Sequence, residues 1–192
     1  VRRGELPGRS KGAIEWYRKQ AKTAAGKEIT AETLLNTKDK GRAKARLTGN
    51  AFIGSMYFFE YDPKHKETLP YYDRFPLIFP INKAKGGIIG LNMHYLPPML
   101  RAQLMDALYS LTTDNNYNEK TRLAMSYKLL ASSSKFKLFA PCVKHYLSSH
   151  VKSRFIKIEA SEWDTALFLP VQSFQKAGSA KVWADSRRII KG

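Results

Sequence analysis

Glu60, Asp62, Lys64, His65 and Glu67 crowd into one short stretch, and carboxylates beside a lysine and a histidine are the ingredients of metal-assisted phosphodiester cleavage. Their spacing follows no nuclease motif. Cys142, His145 and His150 bring thiol and imidazole ligands close together, but a fourth ligand is missing and no CxxC accompanies them, so no zinc site is read there. His145 and His150 are assigned to a basic face instead. The run GGIIG lacks the following Lys and Ser of a phosphate-binding loop and reads as turn and sheet glycines. The chain is therefore expected to have no catalytic residues, no metal, no cofactor and no small-molecule substrate.

What the side chains offer in place of catalysis is positive charge. The formal net charge is +17, from 33 Lys and Arg against 16 Asp and Glu, beyond what solubility needs and suited to a polyanionic partner. It is concentrated in two blocks. Residues 1–50 hold 13 basic and 5 acidic side chains, and residues 120–158 hold 9 basic and none acidic. Lysines without local carboxylates favour an external anion, and nucleic acid is the first candidate. The candidate phosphate ligands are Arg2, Arg3, Arg9, Lys11, Arg18, Lys19, Lys22, Arg42, Lys44 and Arg46 in the first block. To these are added Lys64 and Lys66 near the chain's middle, and Lys135, Lys137, Lys144, Lys152 and Arg154 in the second block. Trp16 and Tyr17, within the first block, are candidates for stacking on a base.

The scaffold must hold these charges. At 192 residues and 43% hydrophobic, the chain is long enough for one domain with a core. Residues 1–50 are poor in large apolar groups and read as a basic, partly flexible arm, with a short helix from Ala13 to Ala25 and a polar linker TKDKGRAKARLTGN. Residues 51–192 read as a single α+β domain, a small mostly antiparallel sheet of about four strands followed by several helices. AFIGSMYFFEY, FPLIFPI, GGIIGLNMHYL and RFIKI supply the strands. LPPMLRAQLMDALYSL is a helix entered through proline, Asn118 caps a second, PCVKHYLSSHV forms a third, and SAKVWADSRRII closes the chain as an amphipathic helix. In SEWDTALFLP, Ser161 and Asp164 resemble a shortened capping box. Pro76 and Pro80 cannot donate to a sheet ladder, so their strand should lie at an edge or be bulged. The one cysteine excludes an internal disulfide framework, and no apolar run approaches the roughly 20 residues needed to span a bilayer. With no apolar signal stretch in VRRGELPGRS, a soluble intracellular protein is expected, with no membrane partner.

The stretch YDPKHKETLPYYDRFPLIFPI combines prolines that fix the backbone with aromatics large enough to anchor it. It reads as a stiff connector packed on the sheet through Tyr71, Tyr72 and Phe75, with Lys64, His65 and Lys66 at a solvated tip.

That stretch, with GLNMHYLPPMLRAQLMDALY, RLAMSYKLL, FKLFAPCVKHYLSSHV, SEWDTALFLPVQSFQKA and KVWADSR, resembles the DNA end protector proteins of T-even-type contractile-tailed phages and their marine relatives, over roughly residues 50–188. The resemblance implies a protein acting late in head completion, attached to the packaged DNA end and shielding it from host exonuclease after injection. It implies residence in the virion and in the host cytoplasm, with double-stranded DNA ends and phage head, neck or tail proteins as partners. It carries no residue-level DNA contacts. The alternative is a structural component of the virion neck or baseplate whose basic arm contacts neighbouring proteins.

Overall fold

From Met56 onward, alternate residues point to opposite sides of a pleat, and both sides are apolar: Met56 and Phe58 join one buried cluster, Tyr57, Phe59 and Tyr61 another. A strand of that kind must be covered on both faces, which places it inside a sheet. In the computed structural model, which describes residues 47–113, 115–159, 162–168 and 171–192, that is its position. Six antiparallel strands lie in the order β1 (Leu47–Thr48), β7 (Phe155–Ile158), β2 (Met56–Phe58), β4 (Leu77–Ala84), β5 (Gly87–Asn92) and β6 (Val143–Leu147). A two-stranded ribbon, β3 (Tyr72–Asp73) with β8 (Phe174–Gln175), stands apart.

One face of the sheet is covered by helices α1 (Pro98–Thr113), α2 (Glu119–Ser133), α3 (Trp163–Phe168) and α4 (Ser179–Lys191). Leu104 and Leu108, Leu130, Leu167 and Val182 bring one or more residues of each helix into the core with Phe79, Leu91 and Phe139. The Pro97 carbonyl accepts from the amides of Leu100 and Arg101 at the start of α1, and Asn118 Oδ1 accepts from the Thr121 amide at 2.9 Å to cap α2. No helix among the described residues is long and apolar enough to cross a membrane.

The α+β class is as expected, but the sheet has six strands in place of four. Two of the additional pairings come from segments read otherwise. Leu47–Thr48, the end of the polar linker, pairs with β7, and PCVKHYLSSHV forms strand β6 between short 3-10 turns, not a helix. Pairing decides the second case: Val143 to Leu147 extend along β5, where Gly87 lets the strands approach so closely that a Cβ would collide with the Tyr146 carbonyl. The strand carrying Pro80 is central, not at an edge; the alternative expectation holds, since the register breaks between Pro80 and Asn82. The Ser161–Asp164 capping pair rests on residues outside the described ones.

The proline- and aromatic-rich connector is pinned along its length. Phe75 is buried and stacks on Phe58 with ring centroids 6.2 Å apart, and Tyr71 packs against Tyr95 and Phe174. At its tip, Lys176 of the turn after β8 sends its ammonium into three carbonyls, those of Lys66 (2.6 Å), Glu67 (2.8 Å) and Leu69 (3.1 Å). Lys176 adopts φ 68° to do so, an uncommon conformation for a residue with a Cβ.

Candidate nucleic-acid interface

The face of the sheet away from the helices carries a second, aromatic cluster. Phe59 meets Phe155 edge-on at 4.8 Å and Tyr146 at 5.5 Å, and Tyr61 meets Tyr146 at 4.9 Å. Edge-to-face rings lock one another in orientation, so this is a rigid floor. Above it lies an open groove of about 910 Å³ whose walls include Phe155 and Tyr146 below, and Lys83, Lys152 and Arg154 around the rim. No carboxylate among the described residues lines it. Among the described residues none of the three cations forms a salt bridge; Lys152 acts on Asp62 only through its field, as one of several cations that hold that carboxyl below its usual range, Lys66 foremost. Phe52 stands at the edge, 63% exposed, with its amide donating to the Tyr57 hydroxyl at 3.0 Å. That bond holds the main chain that presents the ring to solvent.

The groove unites two of the expected phosphate ligands, Lys152 and Arg154, and adds Lys83 and Phe52, which the sequence reading passed over. Lys83 lies between the expected strands FPLIFPI and GGIIGLNMHYL, where its charge beside Lys85 and two glycines was available as a signal. Phe52 begins a run of aromatics that are otherwise buried, and nothing in its neighbours marks it as different. The other candidates lie elsewhere. Lys64 is exposed, and Lys66 is tied to Asp62 at 3.0 Å at the connector tip. Lys135 and Lys137 are exposed after α2. Lys144 is turned inward over the Tyr95 ring, 4.1 Å from its centroid, where burial lowers its pKa. The arm residues Arg2, Arg3, Arg9, Lys11, Trp16, Tyr17, Arg18, Lys19, Lys22, Arg42, Lys44 and Arg46 fall outside the described residues.

The acidic stretch that could have supported cleavage is occupied with structure. Glu60 accepts from both Nε and Nη2 of Arg74, and Asp62 is held by Lys66 while its carbonyl meets His150 Nδ1 at 2.8 Å. Among the described residues no three His, Cys, Asp or Glu side chains gather where they could hold a metal ion. Cys142 is buried with its thiol donating to the Phe139 carbonyl.

A different polar group is fully enclosed. Asp73 accepts from the amides of Phe75 and Ser173 at one oxygen and from Asn92 Nδ2 and His94 Nδ1 at the other, the last at 2.6 Å. Burial pushes the Asp73 carboxyl up, but His94 and these donors outweigh it and leave the carboxyl below its ordinary range. Burial drives the His94 pKa down, and its Nε2 has no partner among the described residues, so the ring is neutral with its proton on Nδ1. The carbonyl of His94 accepts from Trp183 Nε1 and Arg101 Nη2, while Arg101 also donates to Leu96 and Leu167. The contacts of Asp73 with Asn92, His94 and Ser173, of Arg101 with Leu167 and of Trp183 with His94 join segments 19 to 100 positions apart in the chain, which makes this a structural brace. Asn92 also donates to the Tyr146 hydroxyl at 3.0 Å and so ties the brace to the groove floor.

An α+β domain thus carries an aromatic floor under a cationic groove with no carboxylate among its described lining residues, a lining whose chemistry suits an anion. Residues 13–186 match the family model described as Phage T4 terminal DNA protecting protein, and the chain belongs to that family. No curated protein and no solved structure matches it.

Proposed function

We propose that the protein binds the end of packaged genomic double-stranded DNA without sequence specificity and shields it from host exonuclease, acting in head completion. The observation that carries this reading is the groove rimmed by Lys83, Lys152 and Arg154, with no carboxylate among the described residues that line it, in a chain whose family is named for protecting terminal DNA. Phosphate contacts position a duplex without reading it, so cations suffice and base-edge donors are not required. The basic residues of the arm extend the contact along the backbone. Protection needs occupancy of the end and no bond-breaking step. On this reading the protein resides in the virion, meets head, neck or tail proteins there, and acts in the host cytoplasm after injection.

The test is exonuclease digestion of linear duplex with and without protein, beside binding to circular duplex. Slowed digestion from occupied ends is expected, with affinity falling about five-hundred-fold between about 50 and 200 mM salt if roughly five phosphates are neutralised. Cleavage by the purified protein with magnesium, manganese or zinc would overturn the reading. Absence of both cleavage and protection, with fixed stoichiometry in assembled particles, would favour the neck or baseplate component.

A further inference from the structure

We infer that the groove beside Phe52 is a subsite for the unpaired terminal nucleotides of a DNA strand, with a base stacked on Phe52 and phosphates held by Lys83, Lys152 and Arg154. The inference rests on DNA-end binding as the function and states which part of the end the groove receives. Size is the first argument. At about 910 Å³ the groove falls in the range of small-ligand sites, about 300–1,000 Å³. A duplex, whose major groove alone is about 12 Å wide, is far larger than a volume of this size. A duplex lies across such an opening; one or a few single-stranded nucleotides enter it.

Chemistry is the second. Bases offer flat apolar faces and their linkages offer negative charge, and the groove presents aromatic surface below, an exposed ring at the edge and three cations around the rim that form no salt bridge with the described residues. Stacking accepts any base, which suits recognition of an end regardless of its sequence. The third argument is rigidity. The main chain at Phe52 is held by its amide donating to the Tyr57 hydroxyl, and the floor is held by edge-to-face ring contacts, so neither the backbone that carries the ring nor the floor must be ordered when the nucleotide arrives. A DNA without a free end has no unpaired nucleotide to place there.

The experiment compares the full chain and its Phe52→Ala variant on three fluorescent duplexes of equal length: one with a short unpaired overhang of either polarity, one blunt, and one closed into a covalent circle. Anisotropy titrations at one salt concentration give the affinities. The overhang duplex is expected to bind about five- to 150-fold tighter than the closed one, the range that loss of one base-stacking ring spans, and Phe52→Ala should remove that preference, bringing the two affinities together. Phe52→Trp should retain it. Because Phe52 is 63% exposed, its truncation leaves the melting transition in place, which circular dichroism checks. Equal wild-type affinity for the three DNAs, or an equal loss on all of them in Phe52→Ala, would overturn the subsite while leaving DNA binding standing. Failure to bind any of the three would overturn the DNA-end function itself, and the subsite with it.

Discussion

Around Asp73 four donors converge on one buried carboxylate, whereas around Phe52 three cations face an open groove with no carboxylate among its lining residues. Both regions are polar and both touch Tyr146, whose hydroxyl belongs to the first and whose ring belongs to the second. The difference lies in where the counter-charge is found. A group satisfied inside the fold contributes to holding the fold, and a group left for solvent is available to a partner. Perturbed titration alone points to the brace, where Asp73 and His94 are both shifted.

Removing the centre of the brace is the largest perturbation the comparison offers. Asp73→Ala leaves four donors facing an enclosed space, and about 3–5 kcal/mol of stability should be lost, as for other broken buried pairs. Urea unfolding measures it, and an unchanged midpoint would mean that the network is dispensable. The converse holds at the groove. Replacing Lys83, Lys152 and Arg154 together by Gln should leave stability within about 0.5 kcal/mol, because these side chains make no salt bridge with the described residues. DNA affinity should fall, and the slope of log affinity against log salt should shrink by about 2–3, at roughly 0.9 per lost phosphate contact. A slope that does not change would place the phosphate contacts on the arm or on Lys135 and Lys137.

The smallest effect is a pH dependence. The folded-state pKa of His94 lies below its ordinary value of 6.5, so below that value the unfolded chain takes up a proton that the folded chain does not. Stability from this group is therefore complete well above pH 6.5 and declines as pH falls through it toward the folded-state value. Thermal melts between about pH 7.5 and 5.5 should show the decline, and His94→Gln, which keeps a donor for Asp73 but cannot titrate, should flatten it.

How much of this was readable in the residues depended on whether the controlling interaction was local. Asn118, Pro97 and the amphipathic closing helix act within a turn or two of chain, and each was found where its residue type and spacing placed it. Val143–Leu147 became a strand because β5 lies beside it, a partner some 55 positions earlier in the chain that periodicity does not register. Proline in β4 was correctly tied to an irregular ladder, yet the strand's central place follows from pairing on both sides. For the groove, the carboxylate-free stretch pointed to Lys152 and Arg154, because charge composition survives folding. The same count included Lys144, which the fold turns onto Tyr95, and it left out Lys83 and Phe52, which join the groove only through long-range packing. The Asp73–His94 brace was invisible for the same reason: its members come from β3, the turn after β5, and the chain before β8.

Cys142 gives the molecule a property useful at the bench. It is the sole thiol in the chain, it is buried, and burial pushes its pKa up to about 12, so at neutral pH almost none of it is the thiolate that reacts with maleimides or disulfides. A cysteine introduced at exposed Asn50, on the groove wall, would be labelled alone and would report on that wall without background. The native thiol then serves a second purpose, because it reacts only when the core opens. Its slow labelling in the folded protein is a clock for global opening, running in the same tube as the fast signal from the groove.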